Sequence, residues 1–132
     1  MNPLSATLSK GERLCSQRLT EQLFGGVNRH SMAFFPLRLV WMETERAEGA
    51  PPAQLLISVP KRRLKHAVAR NRVKRQIREA YRQAKATLYE RLEATPGRTV
   101  LLAFIWQADE LYSTKEVDQH VGRLLQRLTE KI

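Results

Sequence analysis

Leu19, Leu23 and Phe24 recur at helical spacing near the start of the chain, behind a Ser9-Lys-Gly-Glu12 run that has the spacing of a capping box. Gly25-Gly26 closes this first helix near Phe24, since glycine tolerates a left-handed exit. From Val27 to Met42 the period becomes two. Phe35, Leu37, Leu39 and Trp41 share one side of an extended segment, and Phe34, Arg38, Val40 and Met42 share the other. Pro36 suits an edge position or an irregular strand start. Leu55 to Val59 is a second β-rich run, closed by Pro60. The acidic, Pro- and Gly-containing stretch 43–54 between the two runs reads as a long hairpin loop.

The period then changes to helical from about His66 to Leu92. Val73, Ile77, Ala80, Tyr81, Ala84 and Leu88 form one apolar stripe within about 100° of arc. Asn71, Lys74, Arg75, Arg78, Arg82 and Lys85 fall on the opposite side. Thr95-Pro-Gly97 breaks the helix. Thr99 to Trp106 is apolar on both faces, as a central strand covered on each side would be. Ser113-Thr-Lys-Glu116 again has capping-box spacing, and Val117, Val121, Leu124, Leu125 and Leu128 carry a last helix to near Lys131. The order α, β, β, a possible further β, α, β, α predicts an α+β sandwich of one sheet with helices packed on it.

Length fits this reading: 132 residues suit a single domain over 1–132, with 1–8 as a flexible arm. The longest apolar run, Val100 to Trp106, is far short of the roughly 20 residues of a membrane helix. The polar start has no apolar core of a secretory signal. One cysteine, Cys15, excludes an intrachain disulfide. A cytoplasmic protein is expected.

Charge changes the picture most. The formal net charge is +10, and it is confined to one stretch. Lys61 to Lys85 holds eleven basic residues and one acid, Glu79, while the rest of the chain sums to zero. Arg70, Lys74, Arg78 and Arg82 repeat at i,i+4, where like charges destabilise a helix unless an external counter-charge meets them. A solvated surface helix would carry mixed signs, so a polyanion is the expected partner. Arginine predominates, and its planar fork suits phosphate. The apolar stripe is wide enough to pack on a sheet, which argues against a membrane surface. The basic helix follows a strand and not the short turn of a helix-turn-helix, which favours RNA over DNA.

Side-chain catalysis finds little support in the residues. His30, His66 and His120 are scattered, and no metal-ligand or phosphate-loop motif is present. Asp109-Glu110 and Glu116/Asp118 read as negative charge near a helix N-terminus. Cys15 reads as a passive thiol.

Ser58-Val-Pro-Lys61-Arg62, followed by Ala67-Val-Ala-Arg70-Asn71-Arg72-Val-Lys74-Arg75-Gln-Ile-Arg78-Glu79, strongly resembles the signature of the bacterial ribonuclease P protein subunits. The resemblance extends over the chain from about Leu8. It implies an αβββαβα fold with a left-handed crossover between the parallel strands that flank the basic helix. It implies a catalytic RNA as partner, one protein per RNA, and hydrolytic removal of the 5′ leader from precursor tRNA. Mg²⁺ would be held by the RNA and none by the protein, which would supply no catalytic side chain. Arg70, Asn71, Arg72, Lys74, Arg75 and Arg78, with Arg82 beyond them, would contact the catalytic RNA. A cleft between the first helix and the sheet would hold the leader. Phe24 matches a cleft aromatic, and Phe34 or Phe35, with Lys61 and Arg62, lie where other cleft residues are found. Thr20 stands where the family has a further aromatic, and Phe104-Ile-Trp106 where its last strand often ends in a basic residue. A general RNA-binding or ribosome-associated module without a role in cleavage is the alternative from another class.

Overall fold

The computed structural model describes residues 10–14, 16–26, 29–94 and 96–132. A single 3-10 turn, Lys10–Glu12, leads into helix α1, Gln17–Gly25. Strands β1 (His30–Phe34), β2 (Leu37–Glu45) and β3 (Ala53–Ser58) follow. Helix α2 (Ala67–Glu93), strand β4 (Arg98–Trp106) and helix α3 (Thr114–Lys131) complete the chain. This is the expected α+β order, with four strands in one mixed sheet of order β1-β2-β4-β3. Ser9, Cys15 and Thr95 lie outside the described residues, as does the 1–8 arm.

β4 is central, as its two apolar faces require. It runs antiparallel to β2 and parallel to β3, and α2 connects those parallel neighbours. The expected hairpin between the β2 and β3 runs is therefore wrong. The 43–54 stretch is not its loop: Glu43 to Glu45 extend β2, and β3 starts at Ala53. β4 takes the place between them because it alone is fully apolar on both sides. β3, with Gln54 and Ser58 on one face, suits the edge. Within the extended run expected to end at Met42, His30 to Met42 is likewise not one strand. Phe35 and Pro36 form a turn, and β1 folds back on β2 with Phe34 opposite Leu37.

The sheet has two unlike faces. Leu37, Leu39, Trp41, Leu55, Val100, Leu102, Phe104 and Trp106 pack beneath α2 and α3 against Val73, Ile77, Tyr81, Val117, Val121 and Leu124. On the other face α1 seats Leu23 on Val40, Leu101 and Ala103. Full burial of one such side chain stabilises by about 1.5–3 kcal/mol, and the larger cluster is the main source of stability.

Helix ends follow the sequence with one change of reason. Ser113 and Glu116 form the expected capping box on α3. α1 is capped by Ser16, whose hydroxyl accepts from the Leu19 N–H. Gly26 leaves α1 in an extended conformation at φ −76°, not left-handed. Glycine is needed there because a Cβ would lie 2.4 Å from the Gln22 carbonyl oxygen.

Glu12 does not cap a helix. Its carboxylate is buried and takes a 2.6 Å ion pair from Lys85 Nζ and the hydroxyl of Tyr89. The Lys85 ammonium also lies 5.1 Å from the Tyr89 ring centroid. Burial raises the pKa of the Tyr81 and Tyr89 phenols, and the nearby Glu12 carboxylate pushes both the same way. The folded protein thus keeps two protons that the unfolded chain surrenders near pH 10. Stability from these groups is complete below that pH and declines as pH rises beyond it. A urea titration should show the midpoint falling from pH 9 to 11, with less fall in Tyr89→Phe. Phenolate absorbance rising near pH 10 at both residues in the folded protein would refute this.

Candidate nucleic-acid interface

α2 is the platform. Its 27 residues span about 40 Å, and the buried stripe of Val73, Ile77, Ala80 and Tyr81 fixes its rotation on the sheet. Asn71, Arg72, Arg75 and Arg78 are consequently exposed, and Arg70 and Lys74 half-exposed. No acid forms an ion pair with any of these cations among the described residues. The i,i+4 row drifts by about 40° per step, so it winds gently round the helix.

Three cations of the basic stretch are neutralised. Arg82 forms a two-pronged pair with Glu79, its Nε 2.9 Å from the carboxylate. The Arg82 hydrogen bond holds the Glu79 carboxyl below its usual range, and Glu79 in turn raises Arg82. Arg63 reaches Asp109 at 3.3 Å, so that acid serves the loop before α2 and not a helix terminus. Lys85 departs most from expectation. At about 100° per residue it lies between Lys74 and Arg78 in angle, yet it is buried against Glu12. The exposed cationic face therefore belongs to the first half of α2.

Arg70 has a second task. Its guanidinium donates to the carbonyls of Leu64 at 3.0 Å and Lys65 at 2.7 Å. It thereby ties down the loop that presents Lys61 and Arg62, both exposed. Lys74 and Arg78 also meet Arg13 across a shallow concavity floored by Leu55, Leu56 and Ile57 at the outer edge of β3. Arg13 is held there by a parallel bridge to Leu55. The sequence carries no local signal for it, since the contact joins segments more than forty residues apart.

The other face of the sheet is only partly covered. α1 is roughly 14 Å long, whereas a nine-residue strand such as β2 runs about 30 Å. Phe24, Met42, Leu56 and Ile105 are left half-buried around the smaller core. Arg38 lies on this face, its guanidinium donating to Ser31 Oγ at 2.7 Å. Strand alternation places Arg38 on the side of Val40 and Met42, which is the signal for it. Thr20 donates back to the Ser16 carbonyl at 2.8 Å and adds no aromatic. Trp106 is fully buried on the opposite face, edge-on to Tyr112, so Ile105 is the half-buried β4 side chain on the α1 face.

The aromatic residues expected to line one cleft are not together. Phe24 packs on the α1 face. Phe34 faces α3, because the turn at Phe35-Pro36 puts it opposite Leu37 and on that side of the sheet. Its assignment to a cleft beside α1 is thus overturned. Phe35 sits in the turn, 62% exposed, with no ring contact to Phe24 or Phe34 among the described residues.

The family model for ribonuclease P matches residues 8–129. This chain belongs to the ribonuclease P protein family. The ribonuclease P protein component of Porphyromonas gingivalis is 34% identical over 127 residues, covering 96% of this chain and 90% of the relative. That of Chlorobaculum tepidum is 32% identical over 128 residues, covering 92% and 82%. The solved ribonuclease P protein of Thermotoga maritima superposes with a TM-score of 0.66 at 21% identity, covering 88% of this chain and 96% of that one. The Staphylococcus aureus protein gives 0.63 at 19%, covering 89% and 94%. These two establish the likeness of fold. The protein is a subunit of ribonuclease P, a ribonucleoprotein of tRNA processing.

Among the described residues, no three His, Cys, Asp or Glu side chains gather into a group able to hold a metal. No helix there is long and apolar enough to cross a membrane. The double role of Arg70 yields a test on this ribonuclease P protein alone. Arg70→Ala should lower stability by about 1 kcal/mol through loss of its carbonyl contacts. Arg75→Ala, at an exposed position, should stay within about 0.5 kcal/mol. Urea midpoints check this, and equal losses would contradict it.

Proposed function

We propose that the chain docks on the RNA of ribonuclease P, one protein per RNA, through Arg70, Asn71, Arg72, Lys74, Arg75 and Arg78 of α2, while Arg82, expected to extend the row, is taken up by Glu79. The observation that carries this reading is the exposed first half of α2, where cations stand one turn apart without acids to neutralise them. Such a face repels itself in the free protein and is relieved by phosphate. Arginine forks give bidentate contacts to phosphate oxygens, and exposed positions let them follow a folded backbone.

The partly covered sheet face beside α1 holds the single-stranded 5′ leader of precursor tRNA. Phe24 offers a ring for a base, Ile105 and Leu56 an apolar floor, and Arg38 a cation. Lys61 and Arg62 lie on the loop that Arg70 secures. Stacking of this kind contributes roughly 1–3 kcal/mol per base without demanding a sequence. The RNA performs the hydrolysis, with Mg²⁺ bound to it. The protein raises affinity for the precursor and acts in the cytoplasm. Its own residues bind and orient.

The decisive experiment is precursor-tRNA cleavage at low Mg²⁺ with the cognate RNA, with and without protein. Cleavage should rise on adding protein, and no gain in rate or affinity would defeat the proposal. Roughly six phosphate contacts give a slope of log affinity against log salt of about −5. Arg78→Ala should make that slope shallower by about one unit, without creating base preference. Phe24→Ala should weaken precursor binding while leaving affinity for the RNA subunit intact. If Phe24→Ala changes nothing, the protein is a general RNA binder without a leader site.

A further inference from the structure

Phe34, at the end of β1, is covered by two cations of α3. The guanidinium carbon of Arg127 lies 4.8 Å from its ring centroid and that of Arg123 lies 5.3 Å away. The two arginines are one helical turn apart and both are exposed. Among the described residues no acid forms an ion pair with either. They line a concavity with Gln126, Glu130 and Lys131, a group whose formal charge sums to plus two. Like charges at this spacing repel on a bare helix. The ring draws them together, because its negative face attracts each guanidinium.

This patch is separate from the cations of α2. α3 packs over β1 and β2, whereas α2 packs over β3 and β4, and β1 and β3 are opposite edges of the sheet. The two edges are about 15 Å apart by strand spacing alone. Arg123 and Arg127 therefore lie toward the β1 edge, and Lys74 and Arg78 toward the β3 edge.

We propose that Arg123 and Arg127, set by Phe34, form a second phosphate-contact surface that takes a helical segment of the ribonuclease P RNA. This rests on the reading of α2 as the first such surface. The ring of Phe34 is already occupied by guanidinium groups, so it offers no free face on which to stack a splayed base. The N–H edges of the two forks remain, and these suit the paired phosphates of a duplex backbone. A single-stranded leader, by contrast, is held by stacking. Two contacts on opposite edges of the sheet fix the protein's orientation on its RNA, where one helix alone leaves it free to turn about that helix.

The test uses the assembled protein and RNA. Arg123→Gln/Arg127→Gln keeps side-chain stems over Phe34 and removes both charges, and its thermal midpoint confirms folding. Its affinity for the ribonuclease P RNA should fall ten-fold or more near physiological salt, with a salt slope shallower by about two units. Arg123→Lys/Arg127→Lys should restore most of the slope. Precursor-tRNA affinity of the preformed holoenzyme should not change. An unchanged slope in the Gln variant, while Arg78→Ala still lowers it, overturns the second surface and leaves the proposed function standing. If neither variant moves the slope, the α2 reading fails with it. Loss of precursor affinity with RNA-subunit affinity intact overturns the chosen occupant.

Discussion

Val73, Ile77, Ala80 and Tyr81 are locked beneath the sheet-facing side of α2, and their burial leaves the arginines of the same helix nowhere to go but outward. The hydrophobic contact sets the rotation of α2, and the rotation sets the electrostatics. Val73 and Ile77 each contribute about 1.5–3 kcal/mol on burial, and a like-charge neighbour on a helix costs only a few tenths. The core therefore holds the cations together against their repulsion. A polyanion then meets a surface whose self-repulsion has already been offset by packing.

The cationic face has a defined end. Lys85 continues the angular row, but Glu12 turns it into the protein and Tyr89 closes the group. Removing one member of a buried pair costs about 3–5 kcal/mol, because the other charge is left without compensation. The pair also ties the segment before α1 to the middle of α2, 73 positions away in sequence. That tie, with the bridge from Arg13 to Leu55, brings Arg13 beside Lys74 and Arg78. One buried ion pair thus limits the interface at one end and supplies a cation to it elsewhere.

Periodicity made much of this legible. The stripe of α2, the two-sided apolar character of β4 and the Ser113–Glu116 box each depend on residues close in sequence, and each formed as read. What failed depends on distant contacts. The hairpin expected between β2 and β3 does not form, because their adjacency in sequence counts for less than the cover that β4 needs between them. Phe34 departs from simple alternation because a turn of two residues reverses which side of the sheet it faces. Lys85 looks like its neighbours on the helical wheel, and only the fold shows the acid that meets it. Arg123 and Arg127 stand among mixed charges on α3, and nothing local marks them as a pair on a strand's aromatic ring.

The central claim is that the outward cations of α2 are covered by RNA. Phenylglyoxal modification, read residue by residue by mass spectrometry with and without ribonuclease P RNA, measures this directly. Arg72, Arg75 and Arg78 should react readily in the free protein and become protected in the complex, while Arg98, exposed at the start of β4, keeps its reactivity. Equal reactivity of the three α2 arginines in both states would contradict the account.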